Sequence, residues 1–254
     1  MPAEQRYGFG CREDSDDKRD WSYSADSQAL SALPENVDLR PQCPPVYSQE
    51  SLDSCTANAV AGAVRFELMR ESQTRSISPS RLFLFYNARA IEKTTRRDTG
   101  VSVRDAIKSV HKLGVCPESL WPYTEKNFDK KPPKACYEKA LRHKAMEYRR
   151  LQPEVRELRA CLAEGHPFVF GFVAHDLFRD VVWDTGRLDM PRAHEGRLGR
   201  HAVMAVGYEH RKRRLIVRNS WGPGYGLKGY FTMPYRYVTR TSLSSDFWTI
   251  RYVS

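Results

Sequence analysis

Residues 49–72 read QESLDSCTANAVAGAVRFELMRES, and this stretch predicts the centre of the fold. Cys55 opens a run in which small and apolar side chains recur at steps of three and four residues, while other apolar residues occupy the remaining faces. A helix that is apolar nearly all round lies inside a protein rather than on its surface. The stretch therefore predicts a buried helix over about 55–72, with a thiol at its N-terminus.

The rest of the chain divides into a helical half and a strand-rich half. Ser78-Pro79-Ser80 is a typical start for a second helix, and SVRDAIKSVHKLG, residues 102–114, predicts a third helix that ends at a glycine. After about residue 145, short β-rich runs alternate with turns around one further helix. The pattern predicts an α+β fold in which a helical lobe, about 50–145, packs against an antiparallel β lobe, about 146–254, with a cleft between them.

The charge is unevenly distributed along the chain. The 254 residues carry a net charge of +10, yet residues 1–40 hold nine acidic and five basic side chains. The first 40 residues thus have a net charge of −4, and the remainder carries +14. We predict that a leader, residues 1–37, lies against the basic body, which we take as residues 38–254; a solvated tail is the alternative. Four aromatic residues are the expected anchors of a docked leader: Tyr7, Phe9, Trp21 and Tyr23.

Composition excludes several classes of protein. No apolar run is long enough to span a membrane, and the N-terminus has no apolar stretch of signal-peptide type. The compartment stays open between the cytoplasm, loss of a signal and another route of export. The six cysteines form no CxxC pair, and no Cys/His cluster has zinc spacing, so we expect no metal and no cofactor. One or two disulfides are compatible with the sequence, and we expect a monomer.

The position of Cys55 suits a nucleophile. A helix N-terminus presents free N–H groups and about half a positive charge, and both favour a thiolate over a thiol. The alternative is that Cys55 is a small buried apolar residue, as most free cysteines are.

A general base is the second requirement. Of the seven histidines, His201 is the strongest candidate, because it begins the strand HAVMAVGY beside a loop and is held rigidly at a strand edge. His175, which follows an apolar strand, is a competitor. A purely structural role is the alternative for either histidine.

Asn219 is expected to orient that base. It ends the strand LIVRN, and the turn EHRKRR predicts that this strand and the His201 strand form a hairpin. In such a hairpin the start of one strand lies beside the finish of the other, so Asn219 can accept a hydrogen bond from His201. Trp221 is placed to shield that bond, although Asn-Ser-Trp-Gly also fits a turn with a buried tryptophan.

Nucleophile, base and orienting amide occur in the order Cys, His, Asn, which favours acyl transfer to sulfur followed by hydrolysis. Gln49, six residues before Cys55, completes the set. Its side-chain N–H is expected to join the backbone N–H of Cys55 in stabilising an oxyanion.

From LPENVDLR to the C-terminus the sequence resembles the papain-like cysteine proteases. Four segments carry the resemblance: PPVYSQESLDSCTANA, DTGVSVRDAIKSVHKLGVCPESLWPY, HAVMAVGYE and RNSWGPGYGLKGYF. The resemblance implies the papain-like two-lobe fold, with a β-barrel-like second lobe, and thiol endopeptidase activity on peptide or protein substrates. It assigns Cys55 as nucleophile, His201 as base, Asn219 as orienting residue and Gln49 as oxyanion donor.

The same resemblance implies substrate-binding positions. Thr99 and Gly100 fall where the family has a glycine-rich strand that pairs with substrate backbone, and Trp221 matches a tryptophan that borders the primed side of the cleft. Ser245 and Asp246 fall near the main specificity pocket, where an aspartate would favour basic side chains.

The sequence also departs from the family pattern. Asp53 replaces a glycine near the substrate backbone, and Leu52 replaces a disulfide cysteine. Thr56 replaces the usual aromatic residue after the nucleophile, and Arg200 stands before His201 where an aspartate is common. The short leader resembles that of bacterial members rather than the long helical propeptide of plant and animal relatives. We expect the leader to cover part of the cleft and damp activity.

Two other functions are consistent with the residues. An inactive protease scaffold that binds a nucleotide or another anion would explain the basic body, and an anionic small molecule could regulate an active protease in the same way. A Cys-His acyl transferase would share the acyl-thiol step. The absence of a P-loop or an RNA-stacking motif and the presence of Gln49 and NSWG favour the protease.

Overall fold

The computed structural model describes residues 7–26, 30–71 and 77–253. Its longer helices are α1 (Cys55–Glu71), α2 (Arg81–Ile91), α3 (Val103–Leu113), α4 (Lys134–Ala140) and α5 (Val155–Ala163), followed by the short helices α6 (Asp176–Asp180), α7 (Val182–Thr185) and α8 (Tyr235–Val238). Its strands are β1 (Cys11–Arg12), β2 (Asn36–Asp38), β3 (Val101–Ser102), β4 (Ala145–Arg150), β5 (Phe168–His175), β6 (Arg197–Glu209), β7 (Arg214–Arg218), β8 (Tyr230–Pro234) and β9 (Ser244–Val253).

Helix α1 runs through the middle of the protein, as its sequence predicts. Thirteen of its seventeen residues are buried, so it has no solvent-facing stripe. It packs against α2 and α3 on one side and against β6 and β9 on the other. The small side chains make this close packing possible; a Cβ at Gly62, for example, would lie 3.6 Å from Nε of Arg218.

The predicted caps delimit the next two helices. Ser80 is the N-cap of α2 and accepts a hydrogen bond from the Phe83 N–H at 3.1 Å. Ser102 caps α3 in the same way, through the Asp105 N–H at 3.2 Å. Gly114 ends α3 with φ of 74°, a conformation that glycine adopts without strain.

Seven strands form one antiparallel sheet in the order β4-β9-β5-β6-β7-β8, with β2 paired to β6. The antiparallel lobe is therefore confirmed, but among the described residues the sheet does not close into a barrel. Its two outer strands are covered instead: Ser22 of the leader bridges Arg150 on β4, and Arg187 bridges Thr232 on β8. The pairing of β6 with β7, with Met204 opposite Arg218, is the hairpin that the EHRKRR turn predicts.

All six cysteines are described, and all are free thiols. Cys116 and Cys136 lie together in a small apolar cluster with Phe83 and Ala140. Within the described ranges, no helix is long and apolar enough to cross a membrane.

Candidate active site

Cys55 is the first residue of α1 and is fully buried. Its thiol lies against the backbone of Ala202, on the sheet, and of Gly10, in the leader. Burial raises the pKa of Cys55 to about 11, although hydrogen bonds from those two backbone groups favour the thiolate. The helix N-terminus alone would lower this pKa. The effect of burial on the pKa is therefore larger than the effect of the helix N-terminus.

His201 and Asn219 meet as the hairpin predicts. Nε2 of His201 lies 2.7 Å from Oδ1 of Asn219, and the same oxygen accepts the Ser220 backbone N–H at 2.8 Å. Because Oδ1 is the acceptor of both bonds, Nε2 carries the proton and Nδ1 of the neutral ring is left as a base. This Nδ1 is buried and has no hydrogen-bond partner in the described part of the chain.

The environment of His201 keeps the ring neutral. Burial lowers the pKa of His201 to about 4, and the bond to Asn219 only partly opposes this. Aromatic rings surround the imidazole, with Trp221 at 5.1 Å and Phe178 at 5.4 Å between centroids. Trp221 thus packs on the His201 ring, at the place where the sequence predicts a shield for the His201–Asn219 bond.

The side chain of Gln49 is fully buried beside the start of α1. Its Oε1 accepts a hydrogen bond from Oγ of Ser220 at 2.8 Å, which fixes the orientation of the amide. Its Nε2 donates to the carbonyl of Leu52 at 2.9 Å and to the carbonyl of Gly8 at 3.1 Å. The predicted oxyanion donor therefore already holds a peptide carbonyl, and that carbonyl belongs to the leader.

The leader passes directly over these residues. Strand β1 pairs with β3 in parallel, and the Val101 N–H donates to the carbonyl of Gly10 at 2.9 Å. The approach is so close that a Cβ at Gly10 would lie 1.8 Å from the carbonyl oxygen of Asp53, and a Cβ at Gly100 would lie 1.8 Å from the carbonyl oxygen of Gly10. Backbone packs on backbone here, and only glycine leaves room for it.

All four predicted aromatic anchors are in contact with the body. Tyr7 stacks on Trp221 at 4.9 Å between ring centroids, and Phe9 contacts the same indole at 5.6 Å. Tyr23 is buried. Trp21 is 61% exposed, yet its ring lies against that of Tyr148 on β4, with 6.1 Å between the centroids.

Next to Cys55, the Cys11 side chain of the leader occupies a pocket formed by Gly171, Arg200 and Ser245. A Cβ at Gly171 would lie 2.8 Å from the sulfur of Cys11. Arg200 donates to Oγ of Ser245 at 2.5 Å and forms an ion pair with Asp246 at 3.3 Å.

The carboxylate of Asp246 is almost fully buried, and Arg150 forms a second ion pair with it at 3.6 Å. This charge is already compensated in the leader-bound arrangement. The geometry therefore gives no support to a preference for basic side chains at this pocket.

The remaining predicted positions, Asp53, Thr99 and His175, differ in their exposure and in their hydrogen-bond partners. The Asp53 backbone N–H donates to the Asp98 carboxylate at 3.0 Å, and the Phe9 N–H of the leader donates to the Asp53 side chain. Burial and the Asp98 carboxylate together raise the pKa of Asp53 to about 6. Thr99 is exposed at the cleft edge. His175, the competing candidate for the base, pairs its Nδ1 with the Tyr237 hydroxyl at 3.0 Å, whereas His201 is the histidine that meets Asn219.

Sequence reasoning missed several residues of this site. Ser220 positions Gln49, and a signal for it was available inside the NSWG motif. Gly8 and Gly10 flank Phe9 in a Gly-Phe-Gly stretch, a signal for close backbone contact. For the place of Cys11 in the pocket, the sequence carried no signal.

Comparison with known proteins agrees with this geometry. The papain family cysteine protease profile matches residues 33–247. Xylellain, a cysteine protease from Xylella fastidiosa, is 41% identical, with 97% of each chain covered and a TM-score of 0.93. A peptidase C1-like protein of Acanthamoeba polyphaga mimivirus is 37% identical over 97% of this chain and 87% of its own length. The procathepsin B of Trypanosoma congolense, at 18% identity and a TM-score of 0.72, shares the fold.

Fold and comparisons together define a cysteine peptidase, a hydrolase with the papain-like two-lobe architecture. The chain belongs to the papain family of cysteine proteases.

Proposed function

We propose that the protein is an endopeptidase that uses Cys55 as nucleophile, His201 as base, Asn219 as orienting residue and Gln49 as oxyanion donor. The single observation that carries the proposal is the Gln49 amide, which holds a peptide carbonyl at 3.1 Å beside the start of the Cys55 helix. A substrate carbonyl in the position of the Gly8 carbonyl would be polarised by that amide and exposed to the sulfur.

The reaction then follows from the proton positions. Nδ1 of His201 takes the thiol proton of Cys55, and the sulfur attacks the carbonyl carbon to give a tetrahedral oxyanion held by Gln49. Collapse breaks the C–N bond, and His201 returns its proton to the leaving amine. A water molecule gives a proton to His201 and attacks the thioester. The C–S bond then breaks, the carboxylic acid departs, and His201 returns its proton to the sulfur.

We infer that the leader damps this activity, because it occupies the place of a substrate on both sides of Cys55. The Gly8 carbonyl binds the oxyanion donor, Cys11 fills the adjacent pocket, and Tyr7 covers Trp221. A substrate and the leader exclude each other here.

The full-length chain carrying Gly10→Val tests both parts of the proposal. A side chain at position 10 collides with the Asp53 backbone, whereas Gly224→Val is a matched control, because a Cβ at Gly224 meets nothing within 4 Å. We expect Gly10→Val to raise the rate of Cys55 labelling by an epoxysuccinyl inhibitor, and the turnover of a peptide, by at least about tenfold, the equivalent of about 1.4 kcal/mol of docking free energy. Gly224→Val should match the wild type.

Cys55→Ala in the Gly10→Val background should lose both labelling and turnover. Labelling without peptide turnover would reject the endopeptidase. Equal rates in Gly10→Val, Gly8→Val and the wild type would reject damping by the leader, because a Cβ at Gly8 would also collide with Asp53, at 2.2 Å from its Oδ1.

The alternative of an anion-binding scaffold gains little from the EHRKRR turn. Its cations are largely paired: Arg211 with Glu35 at 3.4 Å, Lys212 with Glu209 at 2.8 Å and Arg214 with Asp189 at 2.9 Å. An acyl transferase would release ammonia from a glutamine substrate in the presence of an amine, and that assay on Gly10→Val separates it from a peptidase.

A further inference from the structure

Four acidic side chains of the leader lie along four cations of the body. Glu13 pairs with Arg200 at 2.8 Å, and Asp17 pairs with Lys108 at 3.5 Å. Asp20 accepts from Nε of Arg104 at 3.0 Å and from Arg150 at 3.1 Å. Asp14 accepts from the Arg104 backbone N–H at 2.9 Å and from Nε1 of Trp248 at 2.7 Å.

The cations form one continuous surface, which we call the basic groove: Arg104, Lys108, Arg150 and Arg200. Arg104 and Lys108 are one turn apart on α3, Arg150 ends β4, and Arg200 lies on β6. Residues spaced by four along a helix share a face, so the first two cations point the same way. The leader covers all four, and the side chain of Arg104 is only 3% exposed beneath it.

Displacement of the leader would leave the basic groove with a strong positive charge. Of the carboxylates that pair with these four cations among the described residues, only that of Asp246 belongs to the body, through Arg150 and Arg200. Four cations facing one carboxylate give a local charge of about +3. A charge of this sign favours the binding of acidic ligands. The donors of the Arg104 backbone and the Trp248 indole would be free as well.

The basic groove lies on the side of the cleft that binds the N-terminal part of a substrate. The leader runs from Trp221, which the family resemblance places at the primed side, past Cys55 to the Cys11 pocket, and from there along the groove. A peptide that reaches Cys55 and fills that pocket must therefore place its residues upstream of the pocket in the groove.

We infer that the uncovered enzyme takes peptides that carry acidic side chains on the N-terminal side of the scissile bond, two to nine positions upstream of the residue in the Cys11 pocket. The inference rests on the proposed function for the position of the scissile bond. The acidic leader and an acidic substrate compete for the same cations, so the leader acts as a charge mimic of the substrate. Charge pairs of this kind contribute to both the encounter rate and the register of binding.

The test uses full-length Gly10→Val and a peptide series that differs only in glutamate, glutamine or lysine at the upstream positions. We expect kcat/KM to fall in the order glutamate, glutamine, lysine, with about a tenfold difference between glutamate and glutamine peptides that shrinks as salt rises from about 0.05 to 0.5 M. Adding Asp17→Asn and Asp20→Asn, which frees the basic groove of the leader's own acids, should increase the difference.

Matched variants identify the groove as the cause. Arg150→Gln and Lys108→Gln should each reduce the glutamate preference about threefold. Arg149→Gln, whose side chain pairs with Glu147 at 2.9 Å, and the exposed Lys112→Gln should leave it unchanged. Equal kcat/KM for all three peptides, or a preference untouched by Arg150→Gln and Lys108→Gln, would overturn the inference while leaving the peptidase intact.

Binding of the same peptides to the inactive double variant Gly10→Val, Cys55→Ala, followed by fluorescence anisotropy, separates the two proposals. Failure of every peptide to be cleaved would reject the proposed function. The order of the dissociation constants would still decide whether the groove selects acidic chains, and tighter binding of glutamate peptides that weakens with salt is the expected result.

Discussion

Nε2 of Gln49 lies 3.1 Å from the carbonyl oxygen of Gly8, so the proposed oxyanion donor is occupied by the protein's own leader. A donor that is rigid before the reaction begins costs no reorganisation when charge develops, and the bond from Ser220 holds Gln49 in that state. The same rigidity makes the donor a good binding site for any peptide carbonyl. In the proposed function, oxyanion stabilisation by Gln49 and damping by the leader therefore have a common origin.

The first prediction concerns this amide. In the Gly10→Val background, Gln49→Ala should lower kcat by about 10²–10³ with little change in KM, because the lost bond is strongest in the transition state. Steady-state kinetics on one peptide measures the split. Gln42→Ala, at an exposed position in a 3-10 turn, is the control and should match its parent. A rise in KM alone would mean that Gln49 only binds substrate.

The second prediction is a change in the pH profile of Cys55. The pKa of this thiol is raised to about 11 by burial, so in the wild type the reactive thiolate accumulates only as the pH approaches that value. Displacing the leader with Gly10→Val returns water to the site, and the half-maximum of iodoacetamide alkylation should move to lower pH. Peptide mass mapping at each pH reports Cys55 separately from the other five cysteines. Coincident profiles for the two proteins would contradict burial by the leader as the cause.

The third prediction concerns the orientation of the base. Asn219→Ala in the Gly10→Val background removes the acceptor of the Nε2–H of His201 at 2.7 Å, so the ring loses its fixed tautomer. We expect kcat to fall by about 10–100-fold, within the range of general acid–base effects. Asn219→Gln, which keeps an amide at a longer reach, should recover part of the loss. An unchanged kcat in Asn219→Ala would remove Asn219 from the mechanism.

The fourth prediction concerns the attachment of the leader. Asp20 is largely buried and accepts from both Arg104 and Arg150, so Asp20→Asn should lower the free energy of unfolding by about 2 kcal/mol and speed Cys55 labelling. Asp16→Asn is the matched control, because Asp16 is exposed and forms no ion pair within the described ranges. Urea unfolding and inhibitor labelling measure the two effects. Loss of stability without faster labelling would show that Asp20 does not hold the leader over the cleft.

Local patterns predicted much of the fold. The run after Cys55 predicted a helix buried on every side, and Ser80, Ser102 and Gly114 predicted helix ends to within a residue. These features depend on neighbours a few positions apart, so a single sequence contains them. The prediction of a barrel-like lobe implied a more closed sheet than the one observed. Its edge strands β4 and β8 do not pair with each other; the leader bridges to β4 and Arg187 bridges to β8.

The candidate site likewise contains contacts that local sequence predicts and contacts that it does not. The His201–Asn219 contact followed from hairpin geometry, since a turn between two adjacent strands determines which of their ends meet. The docking of Gly8 and Gly10 was not predictable, because it joins strand β1 to strand β3 about ninety residues further along the chain. The pairing of Asp246 with Arg200 and Arg150 likewise depends on three strands that meet only in the sheet.

By itself, the sequence determined the buried helix that begins at Cys55, the hairpin that brings His201 beside Asn219, the uneven charge and the family. These rest on short-range periodicity, turn chemistry and motif order, all of which are local. The tertiary structure alone decided that the leader lies in the cleft with its glycines against Asp53 and Gly100, that Cys11 fills the pocket, and that the acidic residues cover the basic groove. Such contacts depend on backbone closeness and charge pairing between distant segments, and only the folded chain brings those segments together.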